Sequence, residues 1–567
     1  MNSPQTKIAD PTASTERGTG VKLWIVAGLL LAAAQGYTSR QGMGVDGVGY
    51  IESGMAYTRL DWHWAINTYW SPLYSWVLAL FLKLIPHSME MEFPLVHVVN
   101  FFCFVFTLWC FHQFWSALTN LAELQPGEAT ISTLCPRLYH AFGYGLFLYL
   151  FVPLVRTVTV DLLASGFVFL ICSRMLLCRQ SREIGILQSV LLGMLIAFAF
   201  YAKAILLYFG VFAIGSVLVD RNYHHRTRTC IISGLTALSL IAPWAIAQKM
   251  VGGKFSLGSS GRLNYAWFVD GAPAGDYQEP GGPPTAFFPG ERLSHGIDAF
   301  TIPARDNFTY LPWYDPGRID QTKTRFSSTG ELHAIWRNAL WLRIWLLGEY
   351  GALVVCFVGL LLVGPRLWVG KIRVYLPIII PNMAIFAMYV LIFVRSYRYI
   401  AASFLVMYWA ILAAVRLHKS AYRYVSAFLL ASLLTFCVFN VPGTLKAVFI
   451  TAPENQETVA LAKALRAELP PQTRIAVIGL GSGGSAYWAH LAQTPIVGEV
   501  WERSAQQFWK LGCDERQNIL LKLKSAGAAV VVGVPPQDKR QEGWQRIADS
   551  EASLLPLGTF SQDGCKY

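Results

Sequence analysis

Residues 45–80, VDGVGYIESGMAYTRLDWHWAINTYWSPLYSWVLAL, follow the first long apolar run of the chain. They place a carboxylate, Asp46, where a membrane helix ends, and then pass through a polar, Trp- and Tyr-rich stretch to a short apolar segment. The topology of everything downstream depends on how that segment, Ser71–Ile85, is read. It begins with Ser-Pro, carries Lys83, and falls short of the roughly 20 apolar residues that a crossing helix needs. A full crossing here would move every later basic loop to the opposite side of the membrane. The expectation is therefore an interfacial or re-entrant helix within the first outer loop.

The loops that set this choice are basic. Clusters at Lys7/Arg17/Lys22, Arg174/Arg179/Arg182, Arg221/Arg226/Arg228, Arg366/Lys371/Arg373 and Arg416/Lys419/Arg423 fall on alternate loops. That alternation follows the positive-inside rule and puts the N-terminus in the cytoplasm. Apolar runs near 21–37, 93–115, 137–155, 160–177, 186–201, 204–219, 230–248, 344–363, 374–393, 399–415 and 425–441 give about eleven crossing helices. The first run has no small-residue cleavage site after it and reads as a retained helix.

Composition agrees. Of 567 residues, 54% are hydrophobic and only 14% charged, which no soluble domain requires. The net charge of +12 lies mostly in short loops, so it reads as orientation and not as affinity for nucleic acid. Eight of the ten cysteines lie in or beside apolar runs, with no CxxC, and read as small core residues. Cys513 and Cys565 lie in the polar tail and are placed to pair if that tail is outside the cytoplasm.

Three further regions divide the chain. Residues 1–20 are polar and read as a disordered cytoplasmic N-terminus. The membrane part covers 21–442, with a first outer loop at 38–92 and a large Gly/Pro- and aromatic-rich outer loop at 251–335. From 453 to 567 the pattern becomes helix, strand, helices, strand, a small extracytoplasmic α/β domain. Gly479-x-Gly481-x-x-Gly484 follows an expected strand, but the downstream pattern does not suit a dinucleotide, and a flexible turn is the better reading. The fold class is thus an all-α polytopic membrane protein with an interfacial helix and a small C-terminal α/β domain.

The topology brings scattered charges to the outer side. Asp46 is the leading candidate for chemistry, since it lies at the bilayer edge before a loop that returns to the interface. Asp161 opens a membrane helix among apolar residues, where a carboxylate is costly and usually faces a cavity; the helix dipole alone would also favour it there. Lys203 stands between two apolar runs and fits either snorkelling or a phosphate contact. Arg395 and Arg398 sit at an outer helix start, where a cation opposes the dipole, and this suits anion binding. Two carboxylates and these cations fit transfer from a phosphate-linked donor held in lipid to an acceptor hydroxyl. A carboxylate acts as general base, and the cations, with or without a divalent metal ion, stabilise the departing phosphate. Tyr50, Trp62, Trp313 and Tyr314 are candidates for stacking on a sugar or acceptor.

As a set these residues resemble the GT-C class of membrane glycosyltransferases, above all the protein O-mannosyltransferase and aminoarabinose transferase branch. The likeness covers roughly 21–442. It rests on Asp46 and Tyr50 after the first helix, the SPLYSWVLAL segment, Asp161 in TVDLLAS, Lys203 in YAKAI and the late Arg398-Tyr399 pair. It implies an inverting transferase of the bacterial inner membrane that uses a polyprenyl-phosphate sugar at the outer face, with Tyr399 joining the phosphate contacts. The acceptor would be a glycan, lipid or protein. Relatives often have Asp-Glu where this chain has Asp46-Gly47, and Pro-Pro where it has Ser71-Pro72. A transporter or flippase of lipid-linked sugars is the main rival, but it would carry ionisable residues nearer the midplane. A ligase of whole glycans and a non-catalytic envelope scaffold complete the alternatives.

Overall fold

In the computed structural model of the chain, residues 11–124, 129–180, 185–253, 255–271, 291–319, 324–345, 351, 354, 358, 372–394, 396–417, 419–450, 454–480, 482–536, 543–547 and 550–558 are described. Helices of nine or more residues are numbered here in chain order. α1 covers Pro11–Thr38, so residues 11–20 continue the helix of the first apolar run where the sequence reading expects disorder.

Residues 45–80 form two short helices joined by an aromatic-rich connection that holds one further helical turn at Trp62–Ala65. α2 is Val45–Thr58 and α3 is Pro72–Leu84. At 1.5 Å per residue each is about 20 Å long, too short to cross a hydrocarbon core of about 30 Å alone. The two pack closely because Gly54 has no side chain. A Cβ there would lie 3.1 Å from the Ser75 carbonyl oxygen and 3.3 Å from the Ala79 nitrogen. Ser71, just before α3, accepts a hydrogen bond at its Oγ from the Ala204 N–H at 3.0 Å, which ties α3 to the break between later helices.

The bundle is built from α4 (Met89–Leu124), α5 (Pro136–Phe151), α6 (Asp161–Gln180), α7 (Ile186–Ala202), α8 (Leu206–Val219) and α9 (Arg226–Gly252). Among the described residues, six helical stretches are long and apolar enough to cross a membrane, and five shorter apolar helices pack with them. The expected span at 344–363 lies largely outside the described residues. α6 is the most enclosed of the six and packs along α4 around Phe111, Phe114, Phe147 and Phe169.

Between α5 and α6 the chain stops being α-helical. Pro153 cannot donate a backbone hydrogen bond, and residues Val152–Arg156 tighten into a 3₁₀ turn. The Val155 carbonyl freed there is met by Asn100 Nδ2 at 3.0 Å, with His97 Nδ1 at 3.3 Å, both from α4. Those buried polar groups fix the segment that delivers Thr159 and Asp161.

After α9 come α10 (Ser260–Phe268), α11 (Ser328–Ile344), α12 (Leu376–Ile392), α13 (Ala401–Ala414) and α14 (Tyr422–Phe449). The C-terminal part holds α15 (Glu454–Glu468), α16 (Ser482–Ala492), α17 (Glu502–Lys510) and α18 (Cys513–Ser525). Its strands are β2 (Ile475–Ile478), β3 (Ile496–Val500), β4 (Val530–Gly533), β5 (Gln545–Arg546) and β6 (Ser553–Pro556). They form one mixed sheet with β1 (Ala299–Thr301) in the order β1-β3-β2-β4-β6-β5. β3, β2 and β4 are parallel and buried, as strands covered by helices on both faces usually are. β1 comes from the 251–335 loop, so that loop is stitched into the C-terminal sheet. Gly479 follows β2 with φ +70, the left-handed turn that favours glycine. Cys565 lies outside the described residues.

Candidate active site

The charged residues of the site all come from places where a helix starts, ends or breaks. Asp46 is in the first turn of α2, and Asp161 is the first residue of α6. Lys203 has extended backbone between α7 and α8. Arg398 and Tyr399 sit in a three-residue 3₁₀ turn, Tyr397–Tyr399, between α12 and α13. Helix ends leave backbone groups unpaired and admit side chains that a helix interior would push into lipid.

These ends converge on one cavity of about 890 Å³, lined by Asp46, Tyr50, Asp161, Lys203, Trp313, Arg398 and Tyr399 among others. Asp161 is 4% exposed and fully engaged. Its Oδ1 lies 2.6 Å from Lys203 Nζ, while its Oδ2 lies 3.3 Å from Arg398 Nε and accepts from Thr159 Oγ1 at 2.9 Å. A lone buried carboxylate would cost several kcal/mol, so this pairing is what allows the charge to exist there. Lys203 also lies 4.6 Å from the centre of the Tyr399 ring, which stacks on Tyr389.

Asp46 is held differently. Its Oδ1 accepts one hydrogen bond, from Trp313 Nε1 at 3.0 Å, and its Oδ2 lies 3.7 Å from Arg398 Nη2. The side chain keeps 26% of its surface open, and it lines the large cavity together with a second one of about 430 Å³. Burial pushes its carboxyl above the usual aspartate range, against the opposing pull of Arg398 and Trp313. A carboxylate with spare lone pairs and a raised pKa suits proton acceptance; one saturated by two cations does not.

An aromatic wall faces these charges. Tyr50 packs on Trp70 with ring centres 5.0 Å apart, and Trp313 stacks near Trp267 at 6.4 Å. The wall is fixed from behind. Asn67 Oδ1 accepts from the N–H groups of Tyr69 and Trp70, and buried Asp315 accepts from Thr68 N, Thr68 Oγ1 and Arg318 Nε. Trp313 is thereby held two residues from a buried, saturated ion pair.

Not every candidate reaches the cavity. Trp62 is 56% exposed and packs on Tyr57, and Tyr314 is buried, its hydroxyl donating to the Trp64 carbonyl. Arg395 lies outside the described residues. Tyr69, Trp70, Trp267 and Tyr389 line the cavity although no sequence pattern singles them out as a set. Among the described residues no three His, Cys, Asp or Glu side chains converge to hold a metal ion. The two carboxylates at hand are already opposed by Lys203 and Arg398, and a divalent ion does not fit that set without displacing them.

No family model matches the chain, and no curated protein matches it. Solved structures do. ArnT from Cupriavidus metallidurans in the apo state aligns over 94% of this chain and 98% of its own, at 14% identity and a TM-score of 0.51. The chain has a GT-C-like fold. The same ArnT bound to undecaprenyl phosphate gives 13% identity and a TM-score of 0.49, over 95% of this chain and 98% of that one. The Archaeoglobus fulgidus oligosaccharyltransferase in complex with Zn and sulfate gives 10% and 0.47, over 92% of this chain and 68% of that one.

Within this GT-C-like fold, the Asp46-Gly47 pair has a steric cause. A Cβ at Gly47 would lie 2.4 Å from Met43 Sδ and 2.9 Å from Val158 Cβ. Gly47→Ala is expected to lower stability by about 1–3 kcal/mol through overpacking, and Gly47→Glu by more. Thermal-aggregation midpoints of the detergent-solubilised protein check this, with Glu below Ala below the parent.

Proposed function

We propose that the protein is an inverting glycosyltransferase that moves a sugar from a polyprenyl-phosphate donor to an acceptor hydroxyl. The single observation that carries the reading is that Asp46 and Arg398 line both cavities, so the base and one cation stand where two substrates would meet. The donor belongs in the larger cavity, its phosphate against Lys203 and Arg398 and its sugar against the aromatic wall. Support for a lipid donor comes from an almost wholly apolar crevice of about 360 Å³ among α7, α8 and α9. It shares Leu207 and Leu257 with that cavity and offers a path for an isoprenoid tail. The acceptor, a glycan, lipid or protein, approaches through the smaller cavity past Arg156, Thr157 and Thr159.

In the step, Asp46 takes the proton of the acceptor hydroxyl as its oxygen attacks the anomeric carbon. The bond from that carbon to the phosphate oxygen breaks, and the electron pair leaves with the polyprenyl phosphate, whose charge Lys203 and Arg398 stabilise. Asp161 holds the two cations in place. With the basic loops in the cytoplasm, the site opens on the outer face of a bacterial inner membrane.

The test is turnover of the reconstituted protein with a panel of defined polyprenyl-phosphate sugars, reading release of polyprenyl phosphate by mass spectrometry. Release with at least one donor, dependent on an added envelope acceptor fraction, is expected; no release with any donor rejects the reading. The pH profile adds a second check. Activity needs the Asp46 carboxylate, so it falls as pH drops through a pKa that burial has raised. Arg398→Gln removes an opposing pull and should move that acid limb to higher pH in the residual activity.

A further inference from the structure

A second charged cluster lies between the C-terminal part and the membrane part. His490, on α16, places Nδ1 3.1 Å from Glu52 Oε1 on α2 and Nε2 2.6 Å from Glu92 Oε1 on α4. All three residues are under 9% exposed, and the imidazole lies parallel to the Phe93 ring. A neutral imidazole has one N–H and cannot donate to both carboxylates, so the geometry calls for an imidazolium. The carboxylates hold the His490 pKa up at about 10, against the opposite effect of burial. Other charged residues of these segments are engaged elsewhere: Glu90 of α4 with Lys463 of α15, Asp61 with Arg305, and Asp306 with Arg474, while buried Glu499 of β3 accepts from Tyr310 Oη and Trp501 Nε1 and Arg59 lies over the Phe308 ring.

Glu52 does more than meet His490. Its Oε1 also accepts the Thr309 N–H at 2.8 Å, and the Thr309 carbonyl accepts from Ile496 N at the start of β3. Four residues after Thr309, Trp313 donates to Asp46, which lies six residues before Glu52 on the same helix. The frame closes: α16 holds Glu52, Glu52 holds the 309–313 segment, and that segment holds Asp46. One turn before His490 on α16, Tyr487 lines the smaller cavity beside Asp46.

We propose that His490 is a positioning residue, which bridges Glu52 and Glu92 to lock the C-terminal sheet onto the helix that carries Asp46 and thereby sets the geometry of the base. This rests on the reading of Asp46 as the base. A His whose pKa is raised in the folded state contributes stability that is complete below its unfolded value of about 6.5 and lost as pH rises through the folded one. The lock is therefore closed at neutral pH and opens toward pH 10.

The experiment compares His490→Gln, Glu92→Gln and the double variant in the full-length protein in nanodiscs. Hydrogen exchange over 45–58 and 307–315 is read beside kcat and KM for a polyprenyl-phosphate sugar. His490→Gln leaves two carboxylates facing each other without a cation. It should speed exchange in both segments and lower kcat by about 10–100-fold, with donor KM nearly unchanged. Exchange in both segments should slow again as pH falls, because protonating either carboxylate removes the uncompensated charge, while activity keeps the acid limb set by Asp46. Glu92→Gln keeps the His490–Glu52 bond and an amide oxygen that can accept from His490 Nε2, so its effect on exchange and kcat should be smaller than that of His490→Gln; the double variant carries one uncompensated carboxylate fewer and should regain stability without regaining the lost kcat. Unchanged exchange in His490→Gln overturns the lock; faster exchange with unchanged kcat overturns the positioning role. If the parent turns over no lipid-linked donor, the transferase reading falls while exchange still reports on the lock.

Discussion

Asp46→Asn should lower transfer from a polyprenyl-phosphate sugar by about 10²–10⁴-fold, the range in which a positioned general base contributes. The side chain stays isosteric, and its amide oxygen can still accept from Trp313 Nε1, so the fold around it has no reason to change. What disappears is the lone pair that, on the proposed mechanism, takes the acceptor proton. The loss should appear in kcat with donor binding retained, since the closest cation, Arg398, is 3.7 Å away and keeps its contact with Asp161. Steady-state release of polyprenyl phosphate, with protein levels matched by blot, checks this. Turnover within a factor of about three of the parent would remove Asp46 from the role of base.

Lys203→Gln and Arg398→Gln should each cost about 10²–10³-fold in kcat/KM for the donor, the usual scale for one group that stabilises a leaving oxyanion. The two losses differ in origin. Lys203 meets Asp161 at 2.6 Å, so its removal also strips a buried carboxylate of its nearest partner. Pairing Lys203→Gln with Asp161→Asn removes that penalty and leaves only the missing phosphate contact. The double variant should therefore regain stability without regaining activity. Arg398 touches both carboxylates, and Arg398→Lys should restore little, because a single ammonium cannot reach Asp46, Asp161 and a phosphate together. Donor binding to the variants, measured with polyprenyl phosphate alone, separates phosphate recognition from chemistry.

The charged residues of the candidate site are legible because charge is rare in apolar sequence. Asp46, Asp161, Lys203 and Arg398 each interrupt or border a long hydrophobic run, and such interruptions are costly unless something pairs them. What local sequence does not carry is direction: snorkelling, dipole compensation and site building put the same residues at the same helix ends. The aromatic wall was less legible for a related reason. Aromatic residues make up 14% of the chain, so Trp62 and Tyr314 look no different from Trp70 and Tyr389 until tertiary structure turns two of them toward the cavity. β3 is a five-residue run whose apolar pattern is broken by a buried Glu499, and α16 begins inside a glycine-rich stretch that reads as a turn. His490 has no neighbour within a turn that marks it, since its partners lie 438 and 398 residues away. Contacts of that separation belong to the fold and not to any local pattern.

The most direct measurement is a cryo-EM structure of the protein with a non-hydrolysable phosphonate analogue of a polyprenyl-phosphate sugar. The expected map places the phosphonate between Lys203 and Arg398, the tail toward Leu207 and Leu257, and the anomeric carbon facing the Asp46 side of the cavity. Density for the analogue away from Lys203 and Arg398, or a sugar turned from Asp46, would contradict the assignment.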